Sequence, residues 1–472
     1  MKIEQVFIFL VIASILNACG GGSKSTELKE KQSKCIGAKG EVKIMTLAPG
    51  HFHAALVQKT MYDQVDTKVH VYAPEGRDVQ DYLKRIHGFN IRAENPTAWE
   101  VINYTGADYL KRMLIEKPGN VMVVSGNNAK KTSYIKAAVT AGINVFADKP
   151  LVVNSSDFAI LEETFKTAEA KGVLVYDIMT DRYEVTNIIQ RELSKIPNVF
   201  GELREGTVLE PAITIESVHH FFKYVSGSPI VRPAWFFDTE QQGEGIIDVT
   251  THQVDLIQWM VSPEKALLKE DVDILYAKRW ATVISKDEFK RVTGLEDIPK
   301  FLHKDIKDGK LHVFANGEII YKLKGKVVRV SVSWNYQAQE GAADTYYSIM
   351  RGSICDIIIK QGIEEGFNPT VYIKANIDEG IEAFEQNLQK AIGKDLAVLL
   401  PGLKIERQNH NIWVVNISQK YQIGHEAHFR LVTEKYLAYL KSGRLPEWEV
   451  SNMITKYYTT TKALEMAFEN KK

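Results

Sequence analysis

Three side chains of this sequence are of types that together move a proton and a hydride. Lys149 stands in Ala147-Asp148-Lys149-Pro150-Leu151 at the exit of an apolar run, and Asp248 and His252 open a helical pattern far downstream. An ammonium, a carboxylate and an imidazole suit proton-coupled hydride transfer from a sugar or polyol alcohol. The imidazole, with its pKa near neutrality, takes the hydroxyl proton, and the ammonium favours the developing alkoxide. Wound as a helix, Asp248, His252, Asp255 and Trp259 share one polar face, with Val254, Ile257 and Val261 opposite. Gly243 and Gly245 precede that helix and allow a close approach of backbone.

Residues so far apart need a fold that returns them to one place. From Val42 onward, short Val- and Ile-rich runs (Val42–Leu47, Val69–Tyr72, Val121–Val124, Ile143–Ala147, Val173–Tyr176) alternate with amphipathic stretches such as Thr132–Ala141 and Asp157–Ala170. Ser155 or Ser156 offers an N-cap for the second of these, and Gly172 a stop. The pattern predicts a parallel sheet covered on both faces, whose ligands sit beyond the carboxyl ends of the strands. After about Asp181 alternating strands take over, at Val199–Val208, His312–Phe314, Glu318–Tyr321, Val327–Trp334 and Cys355–Ile359. Lys265 to Lys310 reads as a surface insertion, and Glu426–Leu440 and Asn452–Phe468 read as closing amphipathic helices. The expectation is an α/β chain: a Rossmann-type parallel domain over 41–180, then an α+β domain over 181–472 with a mostly antiparallel open sheet.

The first strand runs into Ala48-Pro49-Gly50-His51-Phe52-His53, where a dinucleotide fingerprint would place glycines at 48, 50 and 53. Only Gly50 is present, placed to let backbone approach a pyrophosphate. Ala73 stands where an acidic residue would meet the ribose hydroxyls; Glu75 could substitute, or Arg77 could meet a 2′-phosphate, which leaves NAD and NADP both open. His51 and His53, and the pair His425 and His428, are read as loop or cap histidines; no metal site is assigned, a shared ion at either pair being the alternative.

The bulk numbers fit an enzyme with a sizeable core. The 472 residues are 45% hydrophobic, and 59 Lys+Arg balance 59 Asp+Glu, so no basic field points to nucleic acid. Lys2 precedes the apolar run Val6 to Leu16, which ends at Leu16-Asn17-Ala18-Cys19 and resembles a bacterial lipobox. The expectation is a signal over 1–19, a lipidated Cys19, a flexible tether over 20–40, and a location in the cell envelope on the periplasmic or surface side of a membrane. Cys35 and Cys355, the other cysteines, form neither a disulfide framework nor a zinc spacing.

With these residues in order, the chain resembles the glucose–fructose oxidoreductase/inositol dehydrogenase (Gfo/Idh/MocA) family. Asp148-Lys149-Pro150 is similar to that family's Glu-Lys-Pro, and Gly126-Asn127-Asn128 to its Thr-Pro-Asn, matching at Asn128. Arg182-Tyr183 resembles its Arg-Phe, Gly201-Glu202 its Gly-Glu, and Gly243 through Asp255 its Gly-Gly-Gly…Asp-x-Gly-x-His-x-x-Asp. The resemblance implies that Lys149 binds the reacting hydroxyl, His252 takes its proton and Asp248 orients substrate or histidine. It implies cofactor contacts from Gly50, His51, His53, Asn128, Asp148 and Lys149, and substrate contacts from Arg182 and Asp255. His219-His220 and Gly341 through Tyr347 mix polar and aromatic residues as sugar-binding surfaces do. The stretch from His425 to Tyr458 is similar to the extra C-terminal region of lipoprotein-type members.

The implied protein is a homo-oligomeric oxidoreductase acting on a saccharide or derivative. Outside the cytoplasm its NAD or NADP would have to be held tightly, since a free cofactor would be lost by mass action. A glycosidase that oxidises its substrate transiently, and a saccharide-binding lipoprotein that only keeps the fold, are the alternatives.

Overall fold

The computed structural model describes residues 34–225, 228–377 and 379–469; the signal, Cys19 and most of the tether lie outside the described residues. Six short strands form the first sheet: β1 (Ile44–Leu47), β2 (Lys68–Ala73), β3 (Glu100–Thr105), β4 (Val121–Val124), β5 (Asn144–Asp148) and β6 (Val175–Ile178). All pair in parallel, in the order β3-β2-β1-β4-β5-β6. β1 and β4 are buried along their whole length, as strands covered by helices on both faces must be. The order reverses between β1 and β4, and that crevice is where such a sheet takes a ligand. β3 is the strand that the pattern missed: it lies at the edge, mostly exposed, and its polar EVINYT sequence carries no apolar run.

The second sheet has ten strands. Its main path runs Val272–Ile284, Lys310–Leu323, Lys326–Gln337, Ile213–Phe222, Thr345–Arg351, Cys355–Gln361, Thr370–Ala375, Ile412–Asn416 and Lys404–Arg407. Only Ile213–Phe222 with Lys326–Gln337 is a parallel pair along it, so the sheet is mostly antiparallel as expected. Residues 265–310 are not a surface insertion. Val272–Ile284 pairs along Lys310–Leu323, and Ile284, Phe289, Val292 and Leu302 join an aromatic core with Phe221, Phe237 and Trp334. The strand's outer residues are half-exposed and charged, which hid its alternation. Val199–Val208 is not a strand either. A one-turn helix, Pro197–Phe200, ends at Gly201 with φ of 73°, and isolated bridges at Leu203 and Gly206 follow.

Local capping explains several boundaries. The helix Ser155–Lys171 is capped by Asn154, whose side chain accepts from Asp157 N–H, and not by Ser155 or Ser156; Gly172 stops it in the left-handed region. Two long helices, His425–Ser442 and Glu447–Glu469, close the chain. Phe429, Tyr436, Met453 and Tyr457 pack into the core of the first sheet, whereas Ala463, Leu464 and Ala467 pack into that of the second. The last helix therefore staples the two layers together. No helix among the described residues is long and apolar enough to cross a membrane.

Candidate active site

Lys149 follows β5, and Asp248 immediately precedes the helix Thr250–Val261. The structure joins them: Lys149 Nζ donates to Asp248 Oδ1 at 2.7 Å, with both side chains about a tenth exposed or less. Burial works against the Asp248 carboxylate, but the Lys149 ammonium, a Gln242 bond and His252 hold its pKa below the ordinary range. His252 lies one turn further on, its Nδ1 3.7 Å from Asp181 Oδ1 and without a hydrogen-bond partner. Burial lowers its pKa, and Asp181 opposes that shift. A neutral imidazole, an ammonium and a carboxylate thus lie close enough to act on one another's charge, the set needed to hold an alcohol and accept its proton.

The helix buries Val254 and Ile257 as expected, and its polar face is mostly buried as well. Asp255 is 1% exposed, so no solvated face exists there. Arg182 Nε and Nη2 donate to Asp255 Oδ2 and Oδ1 at 2.6 and 2.7 Å, and Nη1 reaches both Glu449 oxygens at 3.1 and 3.2 Å. Lys456 adds bonds of 2.8 Å to Asp255 and 2.7 Å to Asp177. With its nitrogens taken by carboxylates, Arg182 positions the helix through Asp255 instead of facing substrate. Glu449 and Lys456, unforeseen in the sequence, stand seven residues apart on one side of the last helix. Gly245 allows a close approach, but to the neighbouring strand: a Cβ there would stand 2.2 Å from Ala315 O.

A cleft of about 610 Å³ opens at the switch between β1 and β4. Ala48, Pro49, Ala73–Val79, Tyr109, Asn127, Ala129, Lys130 and Tyr134 line it, so Glu75 and Arg77 both face it. Its size, its place in the fold and its two cations, Arg77 and Lys130, fit the adenosine and phosphate portion of a dinucleotide. The turn after β1 contributes less than its position promised. Gly50 N–H and His51 N–H both point to Ser125 O, at 3.1 and 3.4 Å, leaving the phosphates to side chains. Asn128 does not line the cleft; its amide donates to Gln242 O at 2.7 Å, while its buried Oδ1 has no partner. A segment of the second domain straps this region, through Trp235 Nε1 to Asp78 at 2.8 Å and Asn127 Nδ2 to Gln241 at 2.5 Å.

His51 and His53 do not line that cleft either. They turn toward Asp148, with His53 Nδ1 at 3.0 Å and His51 Nδ1 at 3.9 Å from Oδ2. Ser125 Oγ donates to the same oxygen at 2.8 Å, and the buried Lys131 ammonium donates to Asp148 O at 2.7 Å. Burial works against the carboxylate, but His53, Lys131 and His51 hold its pKa well below the usual range. Burial, then His53, also puts His51 well below its ordinary value. His425 keeps an exposed edge at the start of its helix, yet the protein around it and His53 bring its pKa to about 3. These histidines come from opposite ends of the chain, and no spacing announces their meeting.

His219 and His220 lie together on Ile213–Phe222 beside Asp344, at 3.5 and 2.9 Å from its oxygens, with Lys223 at 2.5 Å. Trp334 covers His219 with ring centroids 5.1 Å apart. The buried Arg232 donates to Phe221 O and His220 O, fixing the end of the strand that carries this cluster.

Residues 189–468 match the model of a family described as "Putative oxidoreductase C terminal domain". A solved structure of a "putative oxidoreductase" from Parabacteroides merdae is 52% identical, with a TM-score of 0.90 over 92% of this chain and 99% of that one. Levoglucosan dehydrogenase in complex with NADH and L-sorbose is 10% identical, with a TM-score of 0.57 over 91% and 97%. GenD2 from gentamicin A biosynthesis in complex with NAD is 13% identical, with a TM-score of 0.54 over 96% and 98%. At these identities the last two share the fold. No curated protein matches.

Proposed function

The chain belongs to the Gfo/Idh/MocA family of oxidoreductases, and on that footing we propose that it oxidises or reduces a CH–OH group of a saccharide or saccharide derivative with a nicotinamide cofactor. The observation that carries this reading is the Lys149–Asp248 pair at 2.7 Å, with His252 one turn along the same segment. A bound NAD or NADP would supply the hydride acceptor, and the cleft at Glu75, Arg77 and Lys130 would hold its adenosine and phosphate end.

The chain's own groups do the remaining work. Lys149 places a cation beside the reacting oxygen, and Asp248 fixes the direction of that ammonium. His252 Nδ1 makes no hydrogen bond to the protein, which leaves the ring free to take the proton. Asp181, 3.7 Å away, steadies the imidazolium once it forms. The His219, His220 and Asp344 cluster with Trp334 offers carboxylate, imidazole and an aromatic face, the surface that recognises sugar hydroxyls and C–H groups.

Residues 1–19 support export, with anchoring through a lipidated Cys19 in the cell envelope. Retention of the cofactor there is supported by the strap from Trp235 to Gln242 over the cleft region. The open sheet of the second domain supports self-association through its outer face. The test is to extract nucleotide from protein purified out of its native envelope. Bound NAD(H) or NADP(H), changing redox state when a saccharide is added, is the expected result. An empty protein that binds no added nucleotide would remove the dehydrogenase reading.

A further inference from the structure

Beyond the dehydrogenase reading, we propose that His51, His53 and Asp148, closed by His425, form a binding site for a divalent transition-metal ion. One ligand atom from each of His51, His53 and Asp148 lies within 4.8 Å of the other two. Ligands at about 2.1 Å in a tetrahedral arrangement stand about 3.4 Å apart, so the set closes on an ion with side-chain shifts on the order of 1 Å. The rings of His51 and His53 meet edge to face with centroids 4.0 Å apart, and the His425 ring lies 5.1 Å from that of His53, where a rotation of its side chain would bring a third imidazole to the ion.

The support around these groups is built as a metal centre requires. Asp148 is fixed by Ser125 Oγ at 2.8 Å on its carboxylate and by Lys131 Nζ at 2.7 Å on its carbonyl. Outer partners of this kind hold ligands in place and tune them. Both ends of the cluster also sit at the carboxyl edge of the parallel sheet, after β1 and after β5, where this architecture places ligands.

A second observation is independent of these distances. One turn beyond His425, His428 is 4% exposed and its Nε2 has no hydrogen-bond partner; His252 Nδ1 is equally unpaired. Buried imidazole nitrogens are normally satisfied, and these two, which face only Glu184 at 3.9 Å and Asp181 at 3.7 Å, belong to histidines close enough to His425 to act on its charge. Two carboxylates, Asp148 and Asp181, face the histidines, against the cations Lys131, Lys149 and Arg232, of which Lys149 is paired with Asp248.

Three nitrogens and a carboxylate oxygen, with no cysteine near, select a zinc-class ion over calcium or magnesium.

The experiment strips the full chain with a chelator and titrates it calorimetrically with Zn²⁺ and separately with Mn²⁺. One ion per chain is expected, with affinity falling at least about tenfold in His53→Asn and in His425→Ala. His425 keeps an exposed edge at a helix start, so its variant reports on binding without threatening the fold. Binding of neither ion, or variants that bind as tightly as the unaltered chain, overturns the proposal. A parallel titration with NAD and NADP reads the dehydrogenase proposal separately, so the two can fail independently.

Discussion

Replacing Lys456 with methionine should destabilise the protein severely while leaving the shape of the side chain nearly intact. Lys456 is fully buried and donates to Asp177 and Asp255 at 2.7 and 2.8 Å. Around it, Arg182 and Lys456 face three buried carboxylates, Asp177, Asp255 and Glu449. Methionine leaves Arg182 alone against all three, and Asp177 retains only the Tyr457 hydroxyl, at 2.7 Å. Stranding a buried charge in this way costs about 3–5 kcal/mol.

The loss has a characteristic pH dependence. Burial works against ionised Asp255, but Arg182 and Lys456 depress its pKa below 3.8. Its contribution is therefore complete above the unfolded value and is lost as pH falls toward the folded one. The variant has less depression to lose, so the gap between the two proteins narrows below pH 3.8. Urea unfolding followed by tryptophan fluorescence measures this directly. A midpoint loss worth under about 1 kcal/mol, the size of an exposed pair, would refute the network's buried and positioning role.

The catalytic residues give distinct signatures. Lys149→Ala should lower kcat/KM by about a hundred- to a thousandfold, with nucleotide affinity retained, as measured by steady-state kinetics and a binding titration. For oxidation, kcat/KM should rise with pH and level off below 6.5, because His252 must be neutral and burial lowers its pKa. Asp181→Asn removes the group that opposes this shift, so the rise should move to still lower pH in a rate–pH profile. Trp235→Phe deletes the 2.8 Å bond to Asp78 and should speed nucleotide release by about two- to tenfold in a stopped-flow displacement assay.

Much of the fold was legible because parallel strands buried on both faces must be apolar. Val121–Val124 matched residue for residue, and the helices predicted from Glu426 and Asn452 formed with longer ends. What escaped were elements whose environment breaks that rule. β3 is a polar edge strand, and Val272–Ile284 shows charge on its open face. At the site, the pairing of Lys149 with Asp248 agrees with their order in the sequence. Arg182 and Asp255 differed because their partners, Glu449 and Lys456, come from a helix at the other end of the chain. The gathering of His51, His53 and His425 was hidden for the same reason: periodicity reports neighbours along the chain, and tertiary return reports none.

The most direct test of the central claim follows one hydride. The holoprotein would be given a saccharide deuterated at each oxidisable carbon in turn, and the bound nucleotide would then be extracted for mass spectrometry. One labelled position should pass deuterium to the nicotinamide in a single turnover, with transfer abolished in Lys149→Ala and in His252→Ala. Transfer at the wild-type rate in both variants, or none from any saccharide by a nucleotide-loaded protein, would contradict the account.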